Sequence, residues 1–138
     1  MPAGTCVCGA VAFEVQPPYR FFQYCHCTRC RKRTGSIHAA NLAVPRAQLT
    51  WLRGQEQVAR FELPSATQWC NAFCKVCGSG LPWQTRNGLA YIVPAGALDD
   101  DPVERPTRNI WMGSRAAWEV AASELPAFDE EAPRVAAR

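Results

Sequence analysis

The chain has no long apolar run, and no basic segment followed by an apolar one near its start; Met1-Pro2-Ala3-Gly4-Thr5 leads directly into Cys6. A membrane-spanning helix needs about 20 consecutive apolar residues, so none is expected. Without an export signal the expected setting is the reducing cytoplasm, where structural disulfides are rare. Strong charge of one sign is missing too. A formal net charge of +3 falls short of the basic balance of a dedicated nucleic-acid binder. Aromatic residues are not interleaved with the one basic run, Arg29 to Arg33, which weighs further against a nucleic-acid partner. Even cysteine, at 8 in 138 residues, stays below the density of about 8–10% that marks a short disulfide scaffold.

What is present is a particular arrangement of those eight cysteines: Cys6 and Cys8, then Cys25, Cys27 and Cys30, then Cys74 and Cys77 with Cys70 just upstream. Two C-x-C pairs and a C-x-x-C-G turn bring sulfurs together within short stretches of backbone. That suits a tetrahedral metal with Zn–S bonds of about 2.3 Å. Disulfide partners would instead meet from separate stretches of chain.

Length and a hydrophobic content of 48% fit one globular domain. Val11, Phe13 and Val15 alternate with Ala12 and Glu14, and Phe61 and Leu63 with Arg60 and Glu62, as half-buried strands do. Further strands are expected over 20–24, 37–44, 67–73, 81–84 and 90–95. Arg86-Asn87-Gly88 predicts a tight I′ hairpin pairing the segments around Trp83 and Tyr91. Helical signals are short: 28–33 ending at Gly35, 45–49, and 114–120. Eleven prolines favour a sheet with exposed edges and corners over a large closed barrel. The reading is a mainly β fold with short helical turns, a single zinc-binding domain over 1–128, and a loosely held tail over 129–138.

Cys6, Cys8, Cys74 and Cys77 supply the four thiolates of a closed structural zinc site. A tetrahedron with 2.3 Å bonds has an edge of about 3.8 Å, whereas side chains at i and i+2 of a strand lie almost 7 Å apart. The chain must therefore bend at each pair, and Gly9 and Gly78 permit that through positive φ. Closing the long intervening loop costs about 4 kcal/mol, which structural zinc offsets with about 10–16 kcal/mol.

Cys25, Cys27 and Cys30 have no clear fourth partner, and three ligands leave an open position, the arrangement of catalytic zinc. Three thiolates weaken the Lewis acidity, so such a centre suits holding a fourth thiolate better than making hydroxide. Arg29, Arg31, Lys32 and Arg33 favour thiolates and offer partners for the carboxylates of an acidic thiol. The competing reading is a second structural zinc completed by Cys70, His26 or a partner protein. Alternation along an extended segment turns His26 away from a metal held by Cys25 and Cys27. His38 reads as a strand residue rather than a base.

These residues carry a resemblance. The order Gly4-x-Cys6-x-Cys8-Gly9-x-Val11-x-Phe13, Cys25-His26-Cys27-x-x-Cys30-Arg31-x-x-Thr34-Gly35-Ser36, Phe73-Cys74-x-x-Cys77-Gly78-Ser79 and Gly96-x-Leu98-Asp99-Asp100, followed by Ile110-Trp111 and Ala117-Trp118, resembles the glutathione-dependent formaldehyde-activating enzyme family. That family shares its domain with centromere protein V, and the likeness runs from Gly4 to about Phe128. It implies an Mss4-like tent of antiparallel sheets and two zincs: Cys6, Cys8, Cys74 and Cys77 around the structural one, Cys25, Cys27 and Cys30 around the catalytic one. The implied activity is that of a carbon–sulfur lyase joining glutathione and formaldehyde, or a related small aldehyde, to S-hydroxymethylglutathione. Alternatives are a glutathione carrier or sensor, or a non-catalytic zinc module engaging a protein. Two positions depart from the family pattern: Asn109 stands where that pattern has His before Ile-Trp, and Cys70 is an addition.

Overall fold

A computed structural model describes residues 1–134. Its centre is a five-stranded sheet in the order β10-β3-β4-β9-β8, built from β3 (Phe21–Cys25), β4 (Ala39–Pro45), β8 (Trp83–Gln84), β9 (Ala90–Pro94) and β10 (Arg108–Ile110). All its pairings are antiparallel except that of β10 with β3, which is parallel. A three-stranded sheet joins β1 (Ala3–Thr5), β2 (Ala12–Val15) and β5 (Leu49–Arg53), and a ribbon pairs β6 (Val58–Glu62) with β7 (Cys70–Cys74). The helix α1 (Thr28–Thr34) and short 3-10 turns complete the mainly β architecture.

Pattern explains most of this. Val11, Phe13 and Val15 are fully buried and meet Phe22, Leu42, Val44, Leu49, Leu81 and Val93 in the main core between the sheets. Each large apolar side chain so buried contributes about 1.5–3 kcal/mol. The strand β4 has neighbours on both edges and is buried on most of both faces, which is why Leu42, Ala43 and Val44 form an unbroken apolar run.

Several expectations shift. The β6 strand exists, but Phe61 is 52% exposed, because β6 has a single neighbour and its end runs out past the core. Trp83 and Gln84 do pair with Ile92 and Tyr91, yet the turn is not type I′. Only Gly88 has positive φ, and its N–H closes a four-residue turn onto the Thr85 carbonyl, while Asn87 bonds locally to the Thr85 hydroxyl. The helix expected over 114–120 is absent; a 3-10 turn at Met112–Ser114 gives way to irregular chain. The segment 45–49 narrows to a 3-10 turn at Arg46–Gln48. Three strands, β1, β5 and β10, carry too little local alternation to be foreseen. Residues 129–134 are exposed and irregular, and the rest of the expected tail, 135–138, lies outside the described residues.

Candidate metal centres

The chain's two ends of sheet supply the first cluster. Cys6 follows β1, Cys74 ends β7, and both adjoining turns fold back tightly: the Gly9 N–H donates to the Cys6 carbonyl and the Gly78 N–H to the Cys74 carbonyl. Gly9 and Gly78 each adopt φ of +78°, the left-handed conformation that a side chain would strain. The four sulfurs of Cys6, Cys8, Cys74 and Cys77 lie within 4.8 Å of one another. Cys6 and Cys8 sulfurs are 3.5 Å apart, and those of Cys8 and Cys74 3.9 Å. Those separations match the edge of a tetrahedron with bonds of about 2.3 Å and are far beyond a disulfide's length of about 2.05 Å. All eight cysteines are free thiols.

Second contacts tune this cluster. The Val11 N–H donates to Cys6 Sγ at 3.3 Å, and Ser79 Oγ lies 3.2 Å from Cys77 Sγ while accepting from the Val7 N–H at 3.0 Å. The Ser79 side chain and backbone amide hold the Cys77 thiol down to about 5, whereas desolvation, with the neighbouring Cys6, Cys77 and Cys74 thiols, raises Cys8 to about 11. Thiolates this close repel one another, and a bound cation is the chemical means of keeping all four ionised.

The second cluster forms where β3 runs into α1. Cys25 ends β3, Cys27 is the N-cap of α1 with its sulfur accepting the Cys30 N–H at 3.3 Å, and Cys30 lies in the first turn. Their sulfurs lie within 4.8 Å of one another, and the three residues are only 3–6% exposed. Ala39, Trp69 and Ile110 pack around them. Hydrogen bonding from Cys30 lowers Cys25 to about 6, and the same contact, with burial, raises Cys30. Three sulfurs, no fourth cysteine and a helix N-terminus behind one of them make a donor set suited to a soft metal with a vacant ligand position.

The remaining candidates separate. His26 points away from the sulfurs, as alternation required, with Nδ1 2.9 Å from Glu119 Oε1 and Nε2 3.0 Å from Asn109 Oδ1. His38 precedes β4 rather than lying within it, and stacks on Tyr24 at 4.1 Å. Cys70 joins neither cluster: its sulfur accepts from Arg60 Nη2 at 3.1 Å and faces the Gln68 carbonyl, and burial raises its pKa. The basic run does not act as a block. Arg29 lies over the Trp69 ring, Arg31 donates to the Ser114 carbonyl, and Arg33 donates from Nε to Asn71 Oδ1 at 3.0 Å. Asn71 and Glu119 carry no signal in the sequence, and Ser79 stands in the C-x-x-C-G-S motif without its contact to the Cys77 sulfur being foreseen.

Fold and site thus define a mainly β protein with two thiolate clusters able to hold metal ions. The family model for the glutathione-dependent formaldehyde-activating enzyme matches residues 1–114, and the chain belongs to that family. The match stops short of Trp118 and Phe128, to which the sequence resemblance had been extended. Among solved structures, a Rhodobacter sphaeroides protein determined by structural genomics is similar, with 29% identity, a TM-score of 0.60, and coverage of 75% of this chain and 97% of that one. No curated protein matches the chain. Among the described residues, no helix is long and apolar enough to cross a membrane.

Proposed function

We propose that the protein is a zinc-dependent carbon–sulfur lyase that joins glutathione and formaldehyde, or a related small aldehyde, to S-hydroxymethylglutathione. The observation that carries this reading is the buried trio Cys25, Cys27 and Cys30, which stands apart from a complete four-thiolate cluster in a chain of the formaldehyde-activating family. Cys6, Cys8, Cys74 and Cys77 would hold a structural zinc, and Cys25, Cys27 and Cys30 a second, beside which the thiol would be received. Zinc supplies stabilisation of a thiolate at neutral pH. The chain does the rest: Cys27 fixes the start of α1, buried Ala39 with half-buried Trp69 and Ile110 limits the access of water, and the thiol is held for addition to the aldehyde carbon. In that addition the thiol gives up its proton to water, the thiolate lone pair forms the C–S bond, the carbonyl π pair moves to oxygen, and a proton returned from water completes the hydroxyl. Thiols add to formaldehyde unaided, so the contribution required is mainly proximity and orientation. The Asn109 amide cannot exchange protons near neutral pH as an imidazole can, so acid–base work at that position has no place here. Seven cysteines proposed as metal ligands, each needed reduced, suit a reducing cytoplasmic setting.

Native mass spectrometry of the purified protein with and without glutathione tests the reading. Two zincs together with a glutathione-dependent adduct, or loss of one zinc on adding glutathione, is the expected result. Two inert zincs and no adduct would favour a non-catalytic zinc module instead.

A further inference from the structure

The two C-x-C pairs of the chain are bent in different ways. At Cys6-Val7-Cys8 the backbone makes the turn itself: Gly9 takes φ of +78°, and its N–H donates to the Cys6 carbonyl at 2.9 Å. Val7, between the two sulfurs, is 87% exposed, so its side chain has no part in holding the bend. At Cys25-His26-Cys27 that device is missing. Thr28 stands where the other pair has Gly9, and no residue from Cys25 to Thr28 takes positive φ. Side chains two apart on a strand lie about 7 Å apart, yet the sulfurs of the trio lie within 4.8 Å of one another. The cap of α1 fixes Cys27 against Cys30, which leaves the step from Cys25 to Cys27 to be held from outside.

His26, between these two sulfurs, is the opposite of Val7. It is buried, and both ring nitrogens meet side chains from elsewhere in the fold: Nε2 stands 3.0 Å from Asn109 Oδ1 of β10, and Nδ1 stands 2.9 Å from Glu119 Oε1. Glu119 belongs to a segment tied to the same corner at two further points. Arg31 of α1 donates to the Ser114 carbonyl at 3.2 Å, and Ala116 is buried. The Glu119 N–H donates to the Ala116 carbonyl at 3.1 Å, so the carboxylate approaches His26 from a short turn. Its side chain is 16% exposed, and withdrawing a carboxylate this far from water is costly, unlike forming a pair on the open surface. The family match ends at residue 114, so it assigns Glu119 no role.

We infer that Glu119 is a positioning residue for the second metal centre: by gripping His26 on the face turned away from the sulfurs, it keeps Cys25 and Cys27 directed at one ion, as the Gly9 turn does for Cys6 and Cys8. Glu119 touches no sulfur and acts through His26. The inference rests on the reading of the trio as a metal site, and not on what that metal then receives. Without the grip the peptide between Cys25 and Cys27 is free to relax toward its extended form, which parts the sulfurs. That cost falls on one centre alone, because the four-thiolate cluster shares none of these contacts.

The test places the metal-loaded protein in a series of zinc-buffered solutions and counts the zinc retained by native mass spectrometry. Wild type should lose two zincs at two separate free-zinc midpoints, and Cys27→Ser, which leaves only the four-thiolate site, identifies which midpoint belongs to that site. In Glu119→Ala the midpoint of the three-cysteine site should rise about 10- to 100-fold in free zinc, the usual cost of removing an outer contact of a metal site, while the other stays at the wild-type value. Glu119→Gln, which keeps an oxygen at the same reach, should fall close to wild type. A merely structural glutamate would lower the melting temperature of Glu119→Ala and leave both midpoints in place; that result overturns the inference, as does a shift of both midpoints together. A wild type that carries a single zinc overturns it along with the metal reading of the trio. A selective shift in a protein that forms no glutathione adduct upholds it while the lyase reading falls.

Discussion

Asn109 Oδ1 lies 3.0 Å from Nε2 of His26 and accepts its hydrogen, tying β10 to the loop between two of the clustered cysteines. The His26 backbone N–H adds a second tie, donating to the Ile110 carbonyl at 3.0 Å. His26 is only 3% exposed, so water offers Nε2 little replacement. Asn109→Leu should therefore lower stability by about 1–3 kcal/mol, the cost of a buried donor left unsatisfied. Asn109→Asp, which keeps an acceptor there, should melt closer to wild type. Thermal melts of the metal-loaded proteins check this, and equal melting of the leucine variant and wild type would mean that the contact carries no stability.

Removal of metal should unfold the protein rather than merely inactivate it. The four-thiolate cluster links the turn after β1 to the end of β7, and structural zinc contributes about 10–16 kcal/mol, as much as the whole net stability of an ordinary domain at about 5–15 kcal/mol. A strong chelator should bring a large fall in melting temperature with loss of the β signal in circular dichroism. A melt unchanged in chelator would show that the cluster is not a structural metal site.

How much of this could be read in advance depends on how locally each feature is encoded. Cys6, Cys8 and Gly9, or Cys74, Cys77 and Gly78, announce a metal turn within five residues, because the bend and the ligands belong to the same few peptides. Val11, Phe13 and Val15 announce a strand for the same reason. The contact of Arg33 with Asn71 joins residues 38 positions apart, and that of His26 with Asn109 spans 83, so no local pattern marks them. The type of turn at Asn87-Gly88 was misread because Asn87 satisfies itself by a bond to Thr85 instead of taking positive φ. The helix expected over 114–120 failed for a related reason: Trp111 takes φ of +59° and redirects the chain, and Ala116 is the only residue of that stretch that becomes buried.

Cys70→Ala should leave the metal content unchanged. Its sulfur faces Arg60 and Gln68 and lies outside both clusters, although it is fully buried at the base of β7. The substitution removes one small buried group and should cost about 1 kcal/mol. Metal analysis of the purified variant decides the matter, and loss of one zinc would mean that Cys70 completes the three-cysteine site.

Cys27→Ser offers a clean test of the trio, because the position has two separable duties. Its side chain caps α1 by accepting the Cys30 N–H, and serine is among the best residues for that task, so the helix start should survive. Its other proposed duty, as a soft ligand, needs a thiolate, which a hydroxyl does not replace. The variant should therefore fold with a melting temperature close to wild type, keep one zinc in the four-thiolate cluster, and lose both the second zinc and glutathione binding. Native mass spectrometry with added glutathione, read beside a thermal melt, separates the outcomes. Retained glutathione binding in a folded variant would move thiol capture away from Cys27 and undo the assignment of the trio as the working site.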